Sequence, residues 1–152
     1  MSIRWSVVAV GATIACSQVG GPSGLPIQFV TGDRIVVQVI QTDDPPRTNA
    51  ATITAARLNE NDLAVDVRYP GGCRTHRFGA FNDGKQGLSN PPFVLVYLAH
   101  DSASDRCEAI ATRTLHLDLT PLRAGLGSGT LLVRLVEPDG TPAALADVVY
   151  RF

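Results

Sequence analysis

Period-two alternation constrains this chain more than any other feature. Leu63, Val65, Val67 and Tyr69 face one way along an extended segment, and Ala64, Asp66 and Arg68 face the other. Leu115, Leu117 and Leu119 alternate with His116 and Asp118 in the same manner, which puts His116 on a polar face. Residues 35–40 are β-branched with strand-like alternation, and residues 93–99 are continuously apolar, as a central strand would be. Segments 53–58, 131–136 and 148–152 complete the set. Asn59-Glu60-Asn61-Asp62 predicts a hairpin turn between two of them, and Pro138-Asp139-Gly140 predicts another turn. No helical period is sustained anywhere. The pattern predicts an all-β fold, an antiparallel sandwich or partly open barrel, with residues 107–112 as the place where one short helix would fit.

The N-terminus carries a different pattern. Arg4 and the amino group give a weakly positive start, and Trp5 to Ile14 is an uncharged, mostly apolar run ending in Thr13-Ile14-Ala15-Cys16. That run is too short to span a bilayer core, which takes about 20 helical residues. It has the parts of an export signal, so residues 1–15 are expected to be a signal peptide. Residues 16–26 are rich in Gly, Pro and Ser and are expected to form a flexible tether, with residues 27–152 as a single β domain.

Small residues followed directly by Cys16 resemble the lipobox of bacterial lipoproteins, although Thr13 stands where that family usually carries an aliphatic residue. The resemblance implies a lipid on Cys16, an anchor in the membrane and residence in the cell envelope. Ser17, rather than Asp, follows the cysteine, which by the same resemblance suits the outer membrane. Each methylene of the acyl chains would contribute about 0.8 kcal/mol to the anchor. The alternative is a soluble secreted form, cut at the same bond by an ordinary signal peptidase.

Charge excludes some partners. Lys and Arg total 13 against 14 Asp and Glu, so the net charge is −1, and no nucleic acid is expected as a partner. Lys85 is the one lysine.

Four stretches are distinctive: Tyr69-Pro70-Gly71-Gly72-Cys73-Arg74-Thr75-His76-Arg77-Phe78, then Leu98-Ala99-His100-Asp101, Asp105-Arg106-Cys107-Glu108-Ala109 and Leu117-Asp118-Leu119-Thr120-Pro121-Leu122. In this order, over roughly residues 60 to 152, they resemble a group of uncharacterised bacterial lipoproteins with a Gly-Gly-Cys-x-x-His-x-Phe segment. That group has no established activity. The resemblance implies an extracytoplasmic β domain and nothing about chemistry.

Cys73, His76, His100 and Cys107 admit two exclusive readings. Two cysteines left over in an exported protein are expected to oxidise to a Cys73–Cys107 disulfide. Closing a loop of about 35 residues would contribute roughly 3–4 kcal/mol through the unfolded state. Alternatively, two thiolates and two imidazoles in tetrahedral array would suit zinc or Cu(I). With the thiols oxidised, His76 and His100 would remain as copper or zinc ligands, with Asp101 or Asp105 as a third. Otherwise the two rings serve backbone groups near the bridge.

Catalytic patterns are thin. Cys73 with His76 or His100 could form a nucleophile–base pair only as a free thiol. Residues 125–129, Gly-Leu-Gly-Ser-Gly, lack the lysine of a phosphate loop and read as a hairpin loop. Asp43-Asp44 reads as a solvated turn without calcium-loop spacing. The sequence therefore predicts a non-enzymatic binding or structural module of the envelope with an envelope protein as partner. The alternative is a copper- or zinc-binding protein.

Overall fold

The structure is a computed structural model that describes residues 28–31, 34–124 and 129–152. The expectations for residues 1–26 and Cys16, and for most of the loop at 125–129, lie outside the described residues. Among the described residues, nine strands follow in chain order: β1 Gln28–Thr31, β2 Arg34–Gln41, β3 Thr52–Asn59, β4 Asp62–Pro70, β5 Arg77–Gly87, β6 Phe93–Asp101, β7 Ile110–Asp118, β8 Thr130–Val136 and β9 Val148–Arg151. The fold is all-β, a sandwich-like, nearly closed barrel. Strand order runs β3-β4-β7-β2-β5-β6-β8-β9, with β1 paired to β2.

Strand β2 belongs to both halves. Its Ile35–Gln38 portion runs parallel to β7, and its Val39–Gln41 portion runs parallel to β5. The chain thereby divides into a first sheet of β1, β2, β3, β4 and β7 and a second of β2, β5, β6, β8 and β9. The outer strands β3 and β9 approach each other at the far side. Strand β6 is also parallel to β8, so the pairing is mixed, not wholly antiparallel. Alternation within one strand sets which face is buried; it does not carry the direction of the neighbouring strand.

The expected alternation is what builds the core. Leu63, Val65, Val67 and Tyr69 of β4 are buried with Leu115 and Leu117 of β7, their cross-strand partners or near neighbours. Val94, Val96 and Leu98 of β6 and Leu131, Val133 and Leu135 of β8 face them from the second sheet. Each fully buried aliphatic side chain of this kind contributes about 1.5–3 kcal/mol. The Asn59–Asp62 turn forms as expected, with Glu60 at φ 54°. At the same end Tyr150, fully buried, donates its hydroxyl to Asn61 Oδ1 at 3.0 Å and accepts from Arg123 Nε at 2.6 Å.

Residues 107–112 are not helical. The segment from Ile110 onward is β7, with Ile110 opposite Pro70 and Ala111 opposite Tyr69. Gly71 N also donates to Ala109 O at 2.8 Å, so β4 holds this segment extended. Among the described residues the helical turn lies at Thr120–Arg123, where Pro121 opens a 3-10 turn.

Candidate functional site

Topology brings the cysteines and histidines together. Strand β4 pairs with β7 and β5 pairs with β6, so the β4–β5 and β6–β7 links both cross between the sheets at one end. Pro70 closes β4, and Gly71 and Gly72 turn the chain at φ 121° and 118°. Cys73 to Thr75 follow, and His76 immediately precedes β5. On the other link, His100 and Asp101 end β6, and residues 102–109 carry Asp105 and Cys107 into β7. A disulfide joins Cys73 to Cys107, with Cα atoms 5.9 Å apart. It staples the two crossing links where they pass.

Asp105 organises what lies beneath the staple. Its Oδ2 accepts backbone N–H groups from Gly72 at 2.9 Å, Cys73 at 2.9 Å and Arg74 at 3.0 Å. The same oxygen lies 3.0 Å from His76 Nε2, and Oδ1 accepts the N–H of Cys107 at 2.9 Å. The His76 and Asp105 side chains are each 2% exposed. The bond from His76 and those backbone donors hold the Asp105 carboxyl well below the usual carboxylate range.

His76 leads on to His100. His76 Nδ1 lies 2.7 Å from His100 Nε2, and His100 Nδ1 lies 3.1 Å from Ala50 O. His100 is fully buried on the inner side of β6, and its backbone N–H donates to Thr48 Oγ1 at 2.7 Å. Burial, the leading cause, pushes His100 below its ordinary value of 6.5. Its ring stacks on Phe78 at 4.8 Å and on His76 at 5.0 Å, with Tyr69 tilted against both imidazoles at 4.6 and 5.0 Å.

The structure thus gathers His76, His100, Cys73, Cys107 and Asp105. Cys73 and Cys107 carry no thiolate in this state. Their sulfurs and an Asp105 oxygen lie within 4.8 Å of one another, but the sulfurs are bonded to each other. All four ring nitrogens of His76 and His100 are in hydrogen bonds, so an ion would have to displace one of them. Asp101 lies apart, accepting the Ala103 N–H at Oδ1. His116, on the outer side of β7, meets Asp62 at 3.0 Å. Sequence reasoning missed Tyr69 as part of the site, because its place in the alternation already explained it. The role of Asp105 in gathering backbone N–H groups left no signal beyond its place two residues before Cys107.

The outer faces of the sheets differ. On the first sheet Arg57 pairs with Asp66 at 2.8 Å, and Thr114 donates to Asp66 at 2.7 Å. Thr54, Arg57, Asp66, Thr112, Arg113 and Thr114 line a shallow depression of about 380 Å³ there. On the second sheet Phe93, Leu95 and Tyr97 alternate with buried core residues and so face outward. Leu132 and Val136 of β8 stand opposite Phe93 and Tyr97, and Phe81 of β5 is also opposite Tyr97. Val149 of β9 is opposite Leu132 and is 42% exposed. Arg134 lies over the Phe93 ring at 4.7 Å and pairs with Asp147 at 2.8 Å.

No protein-family model matches this chain, and no curated protein matches it. Among solved structures, it is similar to a NigD-like immunity protein from Bacteroides caccae, with a TM-score of 0.57 and 17% identity. That match covers 75% of this chain and 60% of the other. A putative toxin-related protein from Parabacteroides distasonis gives a TM-score of 0.47 at 12% identity, covering 78% and 60% of the two chains. A protein of unknown function, DUF1344, from Bacteroides vulgatus gives 0.46 at 12% identity, covering 77% and 56%. The chain spans less than two thirds of the length of each neighbour. The first likeness shows a shared β fold.

Proposed function

We propose that this chain is a non-enzymatic binding module of the cell envelope, anchored by a lipid on Cys16 and docked to an envelope protein through the outer face of the second sheet. The observation that carries the reading is the apolar character of that face. Phe93, Leu95, Tyr97, Leu132 and Val149 lie side by side where a monomer would place polar residues, as the first sheet does. Aromatic residues and an arginine are the composition of protein interface centres, and Arg134 is already neutralised by Asp147. The export signal and the disulfide support the compartment. The candidate chemistry supports a passive role, because the thiols are paired and both imidazoles are engaged inside the fold. The likeness to an immunity protein supports the fold only.

Site-specific photocrosslinking in intact cells tests the reading. A crosslinker at Val149 should trap one defined envelope protein, and the same group at Thr54 on the polar face should not. The Val149 adduct should weaken when Cys16→Ala releases the protein from the membrane. Equal labelling at both positions would contradict the proposal. Stoichiometric copper or zinc in protein purified from the envelope without chelator would replace it with the metal-binding alternative.

A further inference from the structure

The outer face of the first sheet carries an excess of positive charge at one end. Arg57, Arg113 and Asp66 line the 380 Å³ depression on that face, and Arg68 lines a second of about 220 Å³. The two share Thr54, so they form one shallow groove across β3, β4 and β7. Three guanidiniums thus stand against one carboxylate. That carboxylate is already committed, since Asp66 Oδ2 accepts from Arg57 at 2.8 Å and Oδ1 accepts from Thr114 at 2.7 Å. Among the described residues, neither Arg68 nor Arg113 is in an ion pair.

Both of these arginines are exposed, and they reach the groove differently. Arg68 follows the alternation of β4 and stands between its cross-strand neighbours Thr52 and Thr112. Arg113 breaks the alternation of β7. It has the parity of Leu115 and Leu117 and lies opposite Val67, all three fully buried, yet it lines the outer depression. The described pairing of β2 with β7 begins at Leu115, beyond Arg113, so the side chain is at the end of the covered stretch.

We infer that this groove is a binding site for a glycan that carries carboxylates, such as a chain of uronic acid units. Arg68 and Arg113 supply forked donors that match sugar carboxylates. The hydroxyls of Thr52, Thr54 and Thr112 answer sugar hydroxyls, since each can donate and accept. Pro70 and Ile110, the latter 55% exposed, offer apolar surface at one end to the C–H face of a sugar ring. A shallow groove open along its length suits an extended chain, whereas compact ligands are enclosed on most sides. Asp66 disfavours a doubly charged phosphate monoester, which meets more repulsion beside it than a carboxylate does. The positive excess is confined to one end of one face of a chain with net charge −1, so it forms no basic track for nucleic acid. The inference does not depend on which partner the apolar face of the second sheet binds.

Binding of short oligosaccharides to the full chain in detergent, followed by calorimetry and by NMR of the backbone amides, tests the inference. The probes are tetramers of galacturonate, of mannuronate and of alternating glucuronate and N-acetylglucosamine, with methyl-esterified galacturonate tetramer and inorganic phosphate for comparison. At least one acidic tetramer should bind, shift the amides around Arg68 and Arg113, and bind less tightly as salt is raised. Arg68→Gln and Arg113→Gln should each weaken that binding about tenfold, as loss of a charge-assisted hydrogen bond would. Lys85→Gln, which removes a positive charge from β5 in the second sheet, should leave it unchanged. Methyl ester or phosphate binding as tightly as the acidic tetramer would overturn the inference. So would an affinity unchanged in both arginine variants, or no binding by any of the acidic tetramers.

Discussion

Asp105 meets His76 at 3.0 Å, and Asp62 meets His116 at 3.0 Å, yet the two contacts have opposite weight. The first pair is sealed under a disulfide, each side chain 2% exposed. The second lies on the outer side of the first sheet, with side chains 22% and 32% exposed and Arg34 sharing the Asp62 carboxylate. Water competes for the outer pair, so its net worth falls in the range of exposed ion pairs, about 0–1 kcal/mol. The inner pair has already lost its water. Removing one member leaves a buried charge or donor unanswered, which is costly. Distance alone does not rank these contacts; burial and the completeness of the surrounding hydrogen bonds do.

His100→Ala should open the widest gap between the two regions. It removes a ring stacked on Phe78 and His76 and orphans His76 Nδ1 and Ala50 O. A loss of about 3–5 kcal/mol is expected in urea unfolding. A loss below about 1 kcal/mol would remove the distinction. Gly71→Ala comes next. Gly71 sits at φ 121°, and a Cβ there would lie 2.6 Å from the His76 ring and 3.0 Å from Asp105 Oδ2. About 2 kcal/mol or more should be lost through strain and displacement of the ring. The ring contact, seen by NMR, should shift with it. An unchanged His76 environment would show that the link does not depend on close approach at Gly71.

Much of this frame was legible in the residues. Strands β4, β6, β7 and β8 follow alternation or an unbroken apolar run, because one or both of their faces are buried. Strand β5 was not legible. Its sequence, RFGAFNDGKQG, contains the residues that usually end strands. Its register with β6 shifts between Asn82 and Gln86. Gly87 is needed there because a Cβ would fall 1.8 Å from the Phe93 ring, so a residue that reads as a breaker serves as a seat for an aromatic. The cysteines and histidines could be read as a cluster from their types and spacing. That they converge follows from the β4–β7 and β5–β6 pairings, which single-strand patterns do not specify. The apolar face of the second sheet was hidden for a related reason. An unbroken run such as residues 93–99 reads as burial on both sides, and the structure leaves Phe93, Leu95 and Tyr97 only partly covered.

Stability between pH 7 and pH 5 tests the central claim most directly, since the chain has three histidines and the account assigns them different parts. His100 is held below its ordinary 6.5 by burial. The unfolded chain therefore binds a proton below that pH that the folded chain refuses. Stability is fully present above 6.5 on this account and falls as acid draws the equilibrium to the unfolded state, with a slope approaching about 1.4 kcal/mol per pH unit. The carboxylates held low by their partners, Asp66 and Asp147 among them, act in a separate window below their ordinary 3.8. Urea unfolding of the wild type should show this acid-side fall, and His100→Gln should lose it. A flat wild-type profile, or a fall of the same slope in His100→Gln, would contradict the central place given to the sealed imidazole.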